Sequence, residues 1–414
     1  ADLNVRAAQG GNTIAVNATT ATNATVINSG IGTDAVTIDG DNLSADNLFL
    51  GNTGADRFVL NVTNDLGAAA LFALGNLEIR GNAPSTTNDR DSLQINDTSS
   101  AARALTFDYQ DSGGDMNLDG FAQTVAIRSM ETVLHNADGA NDTTQVLGTS
   151  ADDAITVAPI QSDEVLVFLG GDPWDGPAEG DFDDQFPGLA GGGPGPDLWI
   201  NGAQSLEVDG DGNGGTGDQL YVYGPSEQAL EDTATAPVDP FGFGAGVLIP
   251  GFGAGNAFDE IDVNDQRVEM ENNSVGALLT VDIDTASFVQ TAGNETRRGL
   301  IVNTGFEDAA NLPSNPALDV ADFIVGTISS NFAIEVNGGD PVPAIAPDGD
   351  VLEIQTPGDV NIFSDKSDPP EVTVTSSDPL TGSPTLEFGF SSIETTVLTP
   401  GPASQTVNLI GDNN

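Results

Sequence analysis

Three observations in the sequence predict an all-β fold made of repeated strands. Apolar and polar residues alternate with a period of two in short runs. Those runs are bounded by Gly, Asp and Asn, and helical periodicity is nearly absent. The runs include Val36-Thr-Ile38, Phe58-Val-Leu60-Asn-Val62, Leu93-Gln-Ile95, Ile155-Thr-Val157, Leu220-Tyr-Val222, Ile261-Asp-Val263, Leu352-Glu-Ile354 and Val372-Thr-Val374. A strand sends successive side chains to opposite faces, so each run buries one face and leaves the other polar. The one patch with helical character is the Ala- and Leu-rich stretch from Asn64 to Leu74. The expected architecture is a parallel β-solenoid, a β-helix-like repeat stack. Tandem β-sandwich domains are the alternative, because they explain the hairpin-like turns.

Two strand signatures recur, which is the mark of a repeat. In the first, glycine and then aspartate precede a strand: Gly32-Thr-Asp34-Ala-Val36, Gly54-Ala-Asp56-Arg-Phe58, Gly217-Asp218-Gln-Leu220 and Gly349-Asp350-Val-Leu352, with looser copies at Asp91-Ser-Leu93 and Asp153-Ala-Ile155. In the second, an apolar residue and Glu are followed by an apolar residue or Thr: Leu77-Glu78-Ile79, Met130-Glu131-Thr132, Leu206-Glu207-Val208 and Ile393-Glu394-Thr395. Leu77 to Leu93, Met130 to Val146 and Ile393 to Leu409 are each 16 residues apart, and Leu206 to Leu220 is 14. The two ends of the chain also match a strand pair in its middle. Val146 to Val157 resembles the C-terminal Leu409-Ile-Gly-Asp-Asn-Asn414 in its first half and the N-terminal Ala1-Asp-Leu3-Asn-Val5 in its second. Head-to-tail association of identical subunits is therefore expected, since the terminal strands of a repeat stack remain unpaired.

Charge narrows the function. The 414 residues contain 63 Asp and Glu against 10 Lys and Arg, a formal net charge of −53, with Lys366 the single lysine and His135 the single histidine. No basic footprint exists to neutralise phosphates, which argues against nucleic-acid binding, and anionic membrane surfaces are disfavoured for the same reason. No apolar run approaches the roughly 20 residues that cross a bilayer. Self-repulsion of this size calls for cations to screen or bridge the carboxylates. The acidic residues are mostly Asp beside Gly and Asn, which is turn chemistry and oxygen-ligand chemistry. Ala1 is followed at once by polar residues, as in a chain whose signal peptide has been cleaved. A secreted or cell-surface location is expected.

Two inserts interrupt the pattern. Residues 171–198 are rich in Gly, Pro and Asp and carry Trp174, Phe182 and Phe186; residues 224–258 include the uncharged run Pro240-Phe-Gly-Phe-Gly-Ala-Gly-Val-Leu-Ile-Pro250-Gly-Phe-Gly253. Ordered loops of this length are usually functional, and an apolar one marks a contact surface or folds back over its own sheet. Boundaries near 150 and 258 give an N-terminal β-repeat region at 1–150, a central region at 151–258 holding both inserts, and a C-terminal region at 259–414.

Calcium is the cofactor this pattern suggests. Asp209-Gly-Asp211-Gly-Asn213-Gly214 has oxygen ligands at alternate positions and a glycine for the sharp turn, although its twelfth position is Leu220 rather than a bidentate Glu. Asp115-Met-Asn117-Leu-Asp119-Gly120 has the same spacing with Ala126 at position twelve. It also reads as a hairpin, with Met116 and Leu118 inward, a turn at Asp119-Gly120, and Val125 and Ile127 returning. Asp34, Asp56 and Asp218 of the glycine–aspartate signature complete the candidate metal ligands.

Gly30-Ile-Gly32-Thr-Asp34-Ala-Val36 and Gly214-Gly-Thr-Gly217-Asp218-Gln-Leu220 resemble the nonapeptide of RTX-type calcium-binding repeats. That resemblance implies calcium shared between backbone carbonyls and aspartates of successive turns, although the copies here are scattered rather than tandem. The texture of the whole chain outside the inserts is similar to the very large acidic surface proteins of planctomycetes and related aquatic bacteria. This likeness implies an exported filament, sheath or surface-layer role.

A β-helical polysaccharide enzyme is the less favoured reading. A lyase needs a base beside the sugar carboxylate, and Arg297-Arg298, Lys366 and Arg128 stand in no recognisable constellation. His135 has no Cys or second His for a metal site and reads as a surface or hydrogen-bonded histidine. No Ser lies in a Gly-x-Ser-x-Gly elbow. The expectation is no enzyme, but a self-assembling extracellular structural subunit. Its alternative is a calcium-dependent adhesin or glycan-binding stalk that uses Trp174 and Trp199.

Overall fold

The computed structural model describes residues 2–19, 24–63, 74–81, 91–99, 102–111, 115–137, 142–150, 153–169, 197–210, 218–223, 259–264, 266–272, 276–277, 279–284, 287–288, 299–303, 323–327, 334–337, 351–356, 359–364, 372–377, 384–391, 395–400 and 407–411. Every alternating run named above is a strand. The first strands are β1 (Leu3–Arg6), β2 (Thr13–Val16), β3 (Thr25–Asn28), β4 (Ala35–Asp39), β5 (Ala45–Leu50), β6 (Arg57–Val62), β7 (Leu74–Arg80) and β8 (Ser92–Asp97). Next come β9 (Ala104–Tyr109), β10 (Asp115–Asp119), β11 (Val125–Arg128), β12 (Thr132–Ala137), β13 (Asp142–Leu147), β14 (Ala154–Gln161), β15 (Glu164–Leu169), β16 (Asp197–Asn201), β17 (Ala203–Asp209) and β18 (Gln219–Tyr223). The rest are β19 (Asp259–Asn264), β20 (Arg267–Asn272), β21 (Gly276–Ala277), β22 (Val281–Ile283), β23 (Leu300–Asn303), β24 (Phe323–Thr327), β25 (Ile334–Asn337), β26 (Val351–Thr356), β27 (Asp359–Ser364), β28 (Val372–Ser377), β29 (Pro384–Ser391), β30 (Thr395–Pro400) and β31 (Val407–Gly411). Among the described residues there is no α-helix, only a single 3-10 turn at Gly40–Asn42. Of the stretch expected to have helical character, residues 64–73 lie outside the described residues and Leu74 opens a strand.

The chain divides into two compact units. Unit 1 comprises Ala1–Ala151, Asp163–Leu206 and Ala236–Leu248; unit 2 comprises Asp152–Ser162, Glu207–Thr235 and Ile249–Asn414. In unit 1 one sheet has the order β1-β3-β5-β7-β11-β10-β9-β13 and the other β2-β4-β6-β8-β12-β16-β15. From β1 to β8, each strand therefore joins the sheet opposite to that of its predecessor. Neighbours two apart in sequence pair in parallel: Leu3 with Thr25 and Thr25 with Asn47 in the first sheet, Thr13 with Ala35 and Ala35 with Arg57 in the second. Equivalent positions at this end are 22 residues apart. Unit 2 has sheets of order β22-β20-β19-β24-β26-β30 and β14-β18-β23-β25-β29-β28-β27-β31. Antiparallel hairpins are spliced into the parallel ladders. One of them is the hairpin read from the sequence, where Met116 faces Ile127 and Leu118 faces Val125. Other hairpins join β15 to β16 and β19 to β20.

The 16-residue spacing of the sequence signatures has a simple origin at Leu77. Leu77 lies in β7 and Leu93 in β8, so that step of 16 residues is the crossing from one sheet to the other. Met130 departs from this pattern. It precedes β12 rather than lying within a strand, and Glu131 sits in the turn.

Parallel in-register pairing stacks identical faces, so inward residues form columns. In unit 1 the second sheet carries Val36, Phe58, Leu93, Val133 and Leu198 in one column, and Ile38, Leu60, Ile95, His135 and Ile200 in the next. The first sheet answers with Val5, Ile27, Phe49, Ile79 and Ile127. All of these are buried except Val5, on the end strand. Truncating one of the buried aromatics, such as Phe58→Ala, is worth about 3–5 kcal/mol.

His135 is the exception within its column. It is buried, neither ring nitrogen has a hydrogen-bond partner, and its ring meets Phe107 of the first sheet edge-on at 5.8 Å between centroids. The expected surface or hydrogen-bonded histidine is thus a core residue, because β12 places position 135 in register with Ile95 and Ile200. Close by, Arg103 makes a buried ion pair with Asp97 at 2.8 Å and donates to Ser99 Oγ. Burial, and to a lesser extent the Arg103 charge, lowers the His135 pKa to about 4. The folded state therefore binds that proton less well than the unfolded chain does. The neutral imidazole's contribution is complete above about pH 6.5 and is lost as pH falls towards 4. His135→Leu is expected to be neutral or stabilising at pH 7, since it removes an unpaired buried polar group worth about 1–3 kcal/mol. It should also flatten the decline of stability between pH 6.5 and 4. Urea unfolding of both proteins across that range checks this, and a His135→Leu protein equally acid-sensitive there would contradict it.

Candidate functional site: a column of carboxylates at the strand entries

In unit 1 the glycine–aspartate signature occupies the turn that leads from the first sheet into the second, while Gly217, Gly349 and Asp350 lie outside the described residues. The turns stack as the strands do, with Gln9 bridging Ile31 and Ile31 bridging Thr53. Gly32 and Gly54 adopt φ of +119° and +125°, and a Cβ on Gly54 would lie 2.5 Å from the carbonyl oxygen of Gly32. Only glycine tolerates both the left-handed backbone and that approach.

Aspartate follows because a turn stacked inside a sheet end exposes backbone N–H groups that no strand pairs. Each carboxylate takes the N–H of the equivalent residue one layer back. Asn12 N–H donates to Asp34 Oδ1 at 2.6 Å, Asp34 N–H to Asp56 Oδ1 at 2.9 Å, and Asp56 N–H to Asp91 Oδ1 at 2.7 Å. Asp91 N–H then donates to Glu131 Oε2 at 2.5 Å. The column follows the strand order β2-β4-β6-β8-β12. In unit 2 the same bond joins Asp153 N–H to Asp218 Oδ1 at 2.9 Å, and in the first sheet of unit 1 Arg103 N–H donates to Asp142 Oδ1 at 2.7 Å. Asp34, Asp56, Asp91, Asp142, Asp153 and Asp218 are all buried. Glycine also seats the second oxygen. A Cβ on Gly51 would stand 2.5 Å from Asp56 Oδ2, and one on Gly210 2.6 Å from Asp218 Oδ2.

The column begins differently. Asn12 occupies the position of an aspartate, and its Nδ2 donates to Asp34 Oδ1 and to the carbonyls of Ala8, Gly10 and Ser29. An exposed version of the contact exists at Asp111, which accepts from Ser150 N–H at 2.8 Å and Ser150 Oγ at 2.7 Å. The N–H bond, then the hydroxyl bond, lowers the Asp111 pKa.

The candidate metal ligands are therefore distributed as follows. Asp34, Asp56 and Asp218 are column members whose Oδ1 atoms accept backbone N–H groups; Oδ2 of Asp34 is buried with no hydrogen-bond partner. Asp209 closes β17, while Asp211 and Asn213 lie outside the described residues. Asp115, Asn117 and Asp119 line the β10 hairpin, where Asp115 accepts from Ser129 N–H and Asn117 from Arg128. Among the described residues no three His, Cys, Asp or Glu side chains converge as a metal would require. Of the basic residues weighed for lyase chemistry, Arg128 is occupied by the Met116 carbonyl and Asn117, and Arg297, Arg298 and Lys366 lie outside the described residues. Trp199 is buried, and its Nε1 donates to Glu164 Oε1 at 2.7 Å. The Glu131 contribution escaped the sequence reading, because Met-Glu-Thr there mimics the strand signature.

No family model, no curated protein and no solved structure matches the chain. No helix among the described residues is long and apolar enough to cross a membrane.

Replacing Asp56 by Ala strands the buried N–H of Asp34 and is expected to cost about 1–3 kcal/mol. Asp56→Asn keeps an acceptor and should cost less. Asp119→Ala, at the exposed end of β10, should change stability by under about 0.5 kcal/mol. Chemical denaturation of the three variants checks the order, and equal losses would remove the carboxylate bond as the reason for the signature.

Proposed function

We propose that each unit is a parallel β-solenoid and that the chain is a structural subunit of an extracellular filament, sheath or surface layer, joined head-to-tail to identical subunits. The observation that carries this reading is the state of the first layer. Among the described residues β1 and β2 stand last in their sheets. In β1 the residues in register with the core positions Thr25 and Ile27 are Leu3 and Val5, which are 52% and 36% exposed. An open strand edge beside an exposed core end is a template for another strand layer. At the far end of unit 2, β30 and β31 also stand last in their sheets and supply the complementary edge of the next subunit.

Calcium belongs to the proposal on electrostatic grounds. Two surfaces of a chain carrying −53 repel unless cations intervene. The unpaired, buried Oδ2 of Asp34 is a further oxygen suited to a hard cation. The acidic texture shared with planctomycete-like surface proteins supports the same reading. The glycan-binding alternative loses Trp199 as a contact residue, since its indole is buried and held by Glu164.

Sedimentation velocity and electron microscopy at high protein concentration, with millimolar calcium or with chelator, test the assembly. Polymers are expected in calcium, with Leu3→Asp/Val5→Asp remaining monomeric and folded. Wild-type monomers under all conditions would overturn the proposal. Polymers that persist in chelator would retain the head-to-tail reading and remove calcium from it.

A further inference from the structure

Charge is spread unevenly along the chain. Of its 63 acidic residues, only Asp2 precedes Asp34 and only Asp412 follows Glu394. Residues 1–33 hold one Asp and one Arg, and residues 395–411 hold no charged residue. These stretches contain the strands that stand last in their sheets, β1 and β2 on one side and β30 and β31 on the other. The carboxylate column changes in the same direction. Asp34, Asp56 and Asp91 follow one another in it, and Asn12 stands at its head. An amide keeps the acceptor oxygen of that position without its charge. Asn12 Nδ2 is engaged by Asp34 Oδ1 and by the carbonyls of Ala8, Gly10 and Ser29, which leaves Oδ1 for an incoming N–H.

The strand ladders fix a register. In unit 1 the core columns of the first sheet end at Leu3 and Val5 on β1. In unit 2 the residues in register with the buried Leu352 and Ile354 are Thr396 and Leu398 on β30. Both end strands pair in parallel with their inner neighbours, β1 with β3 and β30 with β26. Val397 is in register with Glu353, on the outer face, and is exposed.

We infer that the joint between copies is an uncharged, registered strand pair. In it β1 lies parallel to β30 of a second copy, with Leu3 in register with Thr396, Asn4 with Val397 and Val5 with Leu398. The inference rests on the head-to-tail reading and adds what the joint is made of. A charge held in such a joint would lose water without gaining a partner. The end layers are therefore neutral, and the flanking layers carry the repulsion that cations screen.

The chain has no cysteine, so engineered thiols report contacts without background. Chains carrying Asn4→Cys, mixed with chains carrying Val397→Cys and mildly oxidised after calcium is added, should give mixed disulfides. Asn4→Cys with Thr399→Cys should give about tenfold less, since diagonal positions stand too far apart for an S–S bond. In a second measurement, Asn4→Asp puts a charge in the joint and should weaken association severalfold in sedimentation. Thr143→Asp, at an exposed position of β13, should leave association unchanged. Disulfides formed at Thr399→Cys in preference to Val397→Cys, or equal association of the Asn4→Asp and Thr143→Asp chains, would overturn the inference and leave head-to-tail assembly standing. Wild-type chains that stay monomeric would instead remove assembly itself, and the joint with it.

Discussion

The bond from a turn N–H to the carboxylate one layer ahead is the contact on which the rest of the architecture rests. Stacked strands pair their own backbone groups, and the turns joining two sheets do so only in part: the N–H groups of Asn12, Asp34 and Asp56 go to carboxylates instead, and a buried unpaired N–H is costly. Aspartate answers this need with a short side chain that only accepts. Its charge is met by backbone dipoles, which need no cationic side chain. The same economy appears in the composition, where 63 acidic residues coexist with 10 basic ones. Glycine is the other half of the device. It lets the turns stack closely enough for Asp34, Asp56 and Asp91 to reach, and it leaves room beside Asp56 and Asp218 for the second carboxylate oxygen.

Much of this was legible in the sequence. The strands were readable because each layer repeats the same alternation, and the glycine–aspartate signature was readable because its backbone conformation and its acceptor tolerate few substitutes. The 22-residue step was not. It holds from Asn12 to Asp34 to Asp56, then stretches to 35 residues before Asp91 and to 40 before Glu131, the longer step taking in the additional strands β9 and β10 while the register of the column is kept. A fixed period was thus sought where only a fixed register exists. The purpose of the aspartates was equally hard to read, since oxygen ligands for a cation and acceptors for N–H groups demand the same residue in the same turn.

Places where the alternation fails are informative in a different way. Thr132 to His135 are all buried, and so are Asp197 to Ile200. In sequence these read as unpatterned runs, and in the sheet they mark strands buried on both faces, as parallel strands covered on both sides are. His135 and Trp199 owe their environments to that double burial. The core column takes up the imidazole without a partner, and the outer face holds the indole through Glu164.

The first layers, from Asn12 to Asp56, differ from one another by whole steps of 22 residues. A gene segment encoding one such step has the same register at both ends. Copying it in tandem adds a layer, and excising it removes one, while every column closes over the seam. Length in this part of the molecule is then a quantity that recombination can tune by integers, with the thickness of the stack as its readout.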